Sequence, residues 1–295
     1  MSTAPPPKPV RPLRSIRILS LALNVPGPMA LVRLAAMGAR CTKVEPPSGD
    51  PMRHYTPDAY ADIHKGIAVL PLDLRTEAGQ KALDKHLART DVLLTSFRPS
   101  GLAKLGLAWK ALHKRHPALS QVAIVGAHGA RAEEPGHDLT YMAENDLVTG
   151  LDLPPTLYAD MGGSLMASEA VLQAVLHKQR SGKGVYLEVA LANASAYLGL
   201  PRQWGMTLPT GAVGGAHAGY RMYPCKDGRV AVAALEPHFA AALCELAGLA
   251  GGKRADMFAP DTHAAVARCF ASRTCAELDA LGQARDIPIH SLKDH

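Results

Sequence analysis

Ile16-Arg-Ile-Leu-Ser-Leu-Ala22, Pro26-Gly-Pro28, the run from Met29 to Met37, and Ala39-Arg-Cys-Thr-Lys-Val-Glu45 decide the fold. The first stretch is short, apolar and rich in branched residues, as buried strands are, and the last reads as the next strand, ended by the Pro/Gly loop Pro46-Pro-Ser-Gly-Asp-Pro51. The middle has helical composition and starts behind prolines, which suit a first helical turn. Outward from this strand–helix–strand unit the alternation continues. Val69 to Leu74 reads as a strand, and Thr76 can cap a helix from Glu77 to Arg89. Asp91 to Ser96 is a strand, Ser100 precedes a helical run to Lys114, and Ser120 to Val125 is a strand. Ser164 to Arg180 reads as a long helix and Val185 to Ala190 as a sixth strand. Strands alternating with helices imply an α/β fold: a mostly parallel sheet with helices on both faces. Ligands of such sheets lie at the carboxyl ends of the strands. No G-x-G-x-x-G follows the first strand, where Asn24-Val-Pro-Gly-Pro28 stands, so NAD is not expected.

Residues 1–12 are rich in proline and read as a solvated tail without the apolar core of a secretory signal. Residues 13–200 form the large α/β domain. Glycine and alanine dominate 201–219, which reads as a linker. Residues 220–295 read as a small α+β domain. In it Tyr220–Tyr223 and Arg229–Ala233 flank the hairpin signal Asp227-Gly228, and helices are expected at 237–246, 263–271 and 276–284.

The chain has 295 residues, 47% of them hydrophobic, enough for a sizeable core. No apolar run has a membrane-spanning length. The net charge of +6 suits a polyanionic ligand, but the basic residues form no run and no aromatics interleave with them. A phosphate-rich cofactor therefore fits better than nucleic acid. Five irregularly spaced cysteines read as reduced thiols of a cytosolic protein. Paired Cys or His at the short intervals of a zinc site are missing, so no metal is expected.

Asp160 precedes Gly162 and Gly163 and a helix. A helix start offers free N–H groups, and glycines let a ligand approach the backbone. The same aspartate could also simply cap the helix.

Several segments together resemble the family III coenzyme A transferases, the group that contains the α-methylacyl-CoA racemases. They are Ile16-Arg-Ile-Leu with Gly27-Pro28, Met37-Gly-Ala39 and Lys43-Val-Glu-Pro-Pro-Ser-Gly-Asp50, then Leu72-Asp-Leu-Arg75. Asp91-Val-Leu-Leu-Thr-Ser-Phe-Arg-Pro99 with Leu105-Gly-Leu107, and Gly136-His-Asp-Leu-Thr-Tyr141, follow. Asp160-Met-Gly-Gly-Ser164 with Gly182-Lys-Gly184, and Asp227-Gly-Arg229 with Ala234-Leu-Glu-Pro237, complete the series. Order and spacing hold over nearly the whole chain from about residue 13.

The resemblance implies an acyl-CoA substrate, coenzyme A held by the large domain, and a homodimer whose subunits interlock. It implies fatty acid metabolism in the cytoplasm. It makes Asp160 the catalytic carboxylate: a nucleophile in transferases, an acid/base in racemases. Gly136-His137-Asp138 resembles the racemase form of its motif, in which the histidine is the second base, and Glu236 matches the glutamate assisting it. The arginine matching Arg98 contacts coenzyme A; Lys43 and Arg75 are further candidates for its phosphates. Asp138 reads as a turn residue, and His128, His217 and His263 as ordinary.

The chain departs from the racemase pattern at Thr156, where an asparagine is usual, and at Ala127-His128, where an aromatic is common. The stretch from His137 to Asp160 is shorter than usual, and the sequence stops soon after Asp286-Ile-Pro-Ile289. Three readings follow: a racemase or epimerase of 2-methyl-branched acyl-CoA, a CoA transferase, or a catalytically impaired CoA-binding subunit.

Overall fold

A computed structural model of the chain describes residues 10–249 and 255–293. The expected tail lies outside the described residues up to residue 9. The chain divides into two compact units, Met1–Gly199 and Leu200–His295.

The first unit carries six strands: β1 (Arg17–Ser20), β2 (Arg40–Glu45), β3 (Ala68–Pro71), β4 (Val92–Thr95), β5 (Ser120–Val125) and β6 (Tyr186–Ala190). They form one sheet in the order β3-β2-β1-β4-β5-β6. Every neighbouring pair is parallel. The connecting helices are α1 (Pro26–Ala36), α2 (Met52–Tyr55), α3 (Pro57–Ile63), α4 (Glu77–Leu87), α5 (Pro99–Lys104), α6 (Trp109–Arg115), α7 (Asp138–Glu144) and α8 (Tyr158–Ser181). α9 (Leu191–Gln203) follows β6.

Alternate strand residues feed two cores. Ile18, Leu94, Val122 and Ile124 pack with Leu31 and Leu34 of α1 and Val171 of α8. Leu19 and Leu93 point the other way, onto Leu83 and Leu87 of α4 and Leu102 and Leu112. Both faces are therefore covered, and each fully buried leucine contributes roughly 1.5–3 kcal/mol. The chain builds outward from β1 to β3, then returns to place β4 on the other side of β1. Such a reversal leaves a crevice at the carboxyl ends of the two central strands.

Several details differ from the sequence reading, which expected none of α2, α3 and α9. The expected run from Ser100 to Lys114 is two helices, because Gly106 takes the left-handed conformation (φ +68°) between α5 and α6. The long helix begins at Tyr158 rather than Ser164, so Asp160 lies inside its first turn. The short helix α7 was not expected.

In the second unit β7 (Tyr220–Cys225), β8 (Gly228–Ala233) and β9 (Ile289–Lys293) form an antiparallel sheet in that order. α10 (Pro237–Leu246), α11 (Pro260–Ala271) and α12 (Cys275–Arg285) accompany it. Tyr223, Val230, Val232, Leu243, Val266, Phe270 and Leu278 make its core. The hairpin and three helices match the reading; β9 is an addition. Residues 201–219, read as a linker, contain the end of α9 and turns closed by bonds such as Gly211 N–H to the Leu208 carbonyl. No helix among the described residues is long and apolar enough to cross a membrane.

Candidate active site

A cleft of about 300 Å³ opens at the carboxyl end of the parallel sheet. Leu23, Asn24 and Pro26 reach it after β1, Ser96, Phe97 and Arg98 after β4, Val125 and Gly126 from the end of β5, and Leu191 after β6. Pro135, Gly136, His137 and Tyr141 line it from the start of α7, and Asp160 from the start of α8. Two residues placed 23 positions apart in sequence, His137 and Asp160, are thus brought to one cavity.

Asp138 makes this juxtaposition. It is buried, opens α7, and its Oδ1 accepts the backbone N–H of Asp160 at 2.9 Å. The turn reading of Asp138 was incomplete: its carboxylate also answers a free amide in the first turn of α8. Thr140 closes the start of α7, its Oγ1 accepting the N–H of His137 at 3.1 Å. The imidazole of His137 is left exposed at the cleft.

Asp160 is partly buried, and among the described residues no donor hydrogen-bonds its carboxyl oxygens. Burial pushes its carboxyl up to about 6; the Asp138 carboxylate adds to the rise and His137 opposes it. Such a carboxyl exchanges protons near neutrality and stands free to meet a ligand.

A family model described as CoA-transferase family III matches residues 13–295. The chain belongs to CoA-transferase family III. It is 31% identical over 212 residues to the probable fatty acyl-CoA transferase Rv3272 of Mycobacterium tuberculosis, covering 66% of this chain and 54% of that protein. It is 34% identical over 201 residues to the succinyl-CoA–D-citramalate CoA-transferase of Chloroflexus aurantiacus, covering 62% and 50%. The chain thus spans about half the length of these two relatives. The α-methylacyl-CoA racemase of Homo sapiens is 29% identical over 287 residues, covering 90% of this chain and 73% of the racemase. A crystal structure of Rv3272 superposes with a TM-score of 0.82 at 27% identity, over 96% of this chain and 84% of that one.

Within this family III fold the remaining expected site residues separate. Arg98 lines the cleft, exposed, and no described carboxylate lies within 4.0 Å of its guanidinium. Lys43, expected at the phosphates, is corrected: its side chain is fully buried, ion-paired with Asp50 and, at 3.0 Å, with Glu45. His64 Nε2 lies 3.0 Å away. A cation so enclosed has no face left for a ligand. Arg75 is exposed and bonds Asp73 through Nε at 3.0 Å, away from the cleft lining.

Gly162 and Gly163 do not line the cleft either. They let α9 approach α8: a Cβ on Gly163 would lie 2.2 Å from Leu191 Cδ2, and one on Gly162 3.1 Å from Leu198 Cδ1. Glu236 stands exposed in the second unit, just before α10. His128 Nδ1 pairs with Glu188 at 2.6 Å, His217 Nδ1 accepts the Gly219 N–H, and His263 bonds the Ala216 carbonyl.

Two residues of the cleft escaped the sequence reading. Tyr141 is buried with its ring in the lining, and burial and Asp160 raise its phenol. Its place in Gly136-His-Asp-Leu-Thr-Tyr141, one helical turn after His137, was the available signal. Asn24 has left-handed backbone (φ +61°), and its N–H is held by both Asp50 carboxylate oxygens at 3.2 and 3.1 Å. No sequence spacing links positions 24 and 50.

Proposed function

We propose that the cleft takes the thioester end of an acyl-CoA, and that the chain moves a proton at the α-carbon of a 2-methyl-branched acyl group. The carrying observation is that His137 and Asp160, whose carboxyl has no hydrogen-bond donor among the described residues, share one cleft, with that carboxyl raised to about 6. Inverting the α-carbon requires removing a proton from one face and returning one to the other. Both groups must then change protonation in turn, and a carboxyl raised to about 6 does so near neutrality. The 29% identity to the human α-methylacyl-CoA racemase over 90% of the chain supports the same assignment.

Arg98 serves the nucleotide part. A planar guanidinium with no carboxylate oxygen within 4.0 Å among the described residues can pair with phosphate or stack on adenine. The excess of +6 attracts the polyanionic carrier. Glu236 is assigned to assist His137 across an interlocked homodimer, by resemblance. Leu151, Leu153 and Tyr197, large and exposed on the first unit, are surface that a partner subunit would cover. The reading is completed by cytoplasmic work on fatty acyl chains.

The test is incubation of a single stereoisomer of a 2-methylacyl-CoA with the protein in heavy water. One α-deuterium enters and optical purity decays; His137→Ala and Asp160→Asn each remove both signals. Absence of uptake by a protein that still binds CoA overturns the reading.

The 34% identity to a succinyl-CoA–D-citramalate CoA-transferase favours a second reading. There Asp160 attacks the thioester carbonyl and CoA leaves as thiolate, forming a mixed anhydride. The thiolate then attacks the Asp160 carbonyl, releasing the first acid and leaving an enzyme-bound CoA thioester. The acceptor carboxylate takes the CoA by the reverse steps. This reading requires acceptor-dependent CoA exchange and a hydroxylamine adduct at Asp160. A carboxyl that titrates at about 6 is largely ionised at neutral pH, so it serves as nucleophile in this reading as well as acid/base in the first. Measured turnover that Asp160→Ala abolishes would remove the third reading, a catalytically impaired CoA-binding subunit.

A further inference from the structure

In the second unit, residues far apart in sequence bring two thiols and a carboxylate together. β7 ends at Cys225, the turn through Asp227 leads to Gly228, and α12 begins at Cys275. The two Sγ atoms are 3.5 Å apart. One ligand atom from each of Cys225, Asp227 and Cys275 lies within 4.8 Å of the others.

The surroundings hold this arrangement in place. Asp227 Oδ1 accepts the Cys275 N–H at 2.7 Å, which fixes the carboxylate against the helix start. Thr274 and Glu277 form a capping box there, with the Thr274 N–H bonded to Glu277 at 2.8 Å. Gly228 leaves room: a Cβ at that position would lie 3.1 Å from Cys275 Sγ and 2.3 Å from the Leu292 carbonyl oxygen.

The sulfur separation is that of two reduced thiols in S–H···S contact. It is far longer than a disulfide bond of about 2.05 Å. It is close to the edge of a tetrahedron around zinc, about 3.8 Å for Zn–S bonds of about 2.3 Å. We propose that Cys225, Cys275 and Asp227 form a site for one divalent cation of the zinc class, with two sulfur ligands and one oxygen ligand. A water completes the tetrahedron. Binding displaces the proton of each thiol, so one ion enters and two protons leave. Lys293, whose charge acts on Asp227, offsets the excess negative charge of two thiolates and a carboxylate around a dication. The ion would tie the β7–β8 turn to the start of α12, a structural use rather than a catalytic one. Short-interval motifs miss this site because its cysteines are 50 residues apart.

Cobalt titration of the full chain, stripped of metal and kept reduced with a phosphine, tests the proposal. One equivalent is expected to bring up a sulfur-to-cobalt charge-transfer band and tetrahedral visible bands, with proton release, and zinc should displace it. Saturating zinc should raise the Tm by about 5 °C. Cys225→Ser, at the less buried ligand, abolishes the charge-transfer band, as does Cys275→Ser, while Asp227→Asn weakens binding at least tenfold. Cys244→Ser leaves all signals unchanged. Cobalt binding without a sulfur band, a band that survives Cys225→Ser, or peptide mapping that finds Cys225 and Cys275 joined as a disulfide in the untreated protein overturns it.

Discussion

Asp50 and Asp160 are both carboxylates withdrawn from water in the first unit, and the fold treats them in opposite ways. Asp50 is fully buried, and donors surround it: the Lys43 ammonium, the backbone N–H of Asn24, and the Met52 N–H at 2.9 Å. Lys43 in turn faces Glu45, whose Oε1 also accepts the Tyr60 hydroxyl at 2.8 Å. Asp160 sits in a less enclosed place, with no donor on its carboxyl among the described residues and a second carboxylate, Asp138, beside it. A buried charge with a complete set of partners is structure; one left without partners beside an open cleft is available for chemistry.

Exchanging the two aspartates' fates in mutants is the sharpest way to break this contrast. Asp160→Asn should lower turnover by about 10³-fold while the chain stays folded, because a general acid/base is lost and an uncompensated charge disappears with it. Activity measured beside a thermal melt checks this; turnover close to that of the unaltered chain would end the contrast. Lys43→Met should do the reverse. It leaves Glu45 and Asp50 buried without their cation, at a cost of about 3–5 kcal/mol in urea unfolding. If Lys43→Met instead left stability unchanged and weakened CoA binding, Lys43 would be the phosphate ligand that its motif suggested.

The raised carboxyl gives a smaller, pH-dependent effect. Asp160 titrates at about 6 in the folded chain against an ordinary 3.8. The folded state therefore holds a proton that the unfolded state has lost between those values. Stability falls as pH rises from about 4 to about 6 and is level above, by at most roughly 3 kcal/mol. Asp160→Asn should flatten that segment of the stability curve. An unchanged slope in the variant would place the raised titration elsewhere.

How far these regions could be read in advance depended on whether the deciding partner was local. The parallel sheet was legible because β1, β4 and β5 each lie in a short, largely apolar run that alternates with helical stretches, and such runs suit strands buried on both faces. Thr76 was legible as a cap because its Oγ1 bonds the N–H only three residues on, at 3.1 Å. Asp160 and His137 were legible through their motifs, and the cleft indeed contains both. Lys43 was misplaced because a strand lysine looks the same whether it faces a ligand or an ion cluster. Asp50 and His64, which enclose it, come from a loop and from the end of α3. The start of α8 was misread because two glycines argue against helix, and only the packing of α9 explains them.

Those glycines give the smallest and most discriminating test. If Gly162 exists to let a ligand reach the backbone, any side chain there should cripple binding. The structure puts α9 on that side instead, with Leu198 Cδ1 3.1 Å and Ala194 Cβ 3.5 Å from an added Cβ. Gly162→Ala then gains helix propensity of about 1 kcal/mol and loses a similar amount as the end of one flexible leucine shifts. Unfolding free energy should change by less than about 1 kcal/mol, with turnover and KM close to those of the parent. Gly163→Ala differs in one respect. Its Cβ would press on Leu191, which lines the cleft, so the shift is passed to the acyl site and KM should rise while Gly162→Ala leaves it alone. Equal losses of CoA affinity in both variants would return the glycines to the ligand.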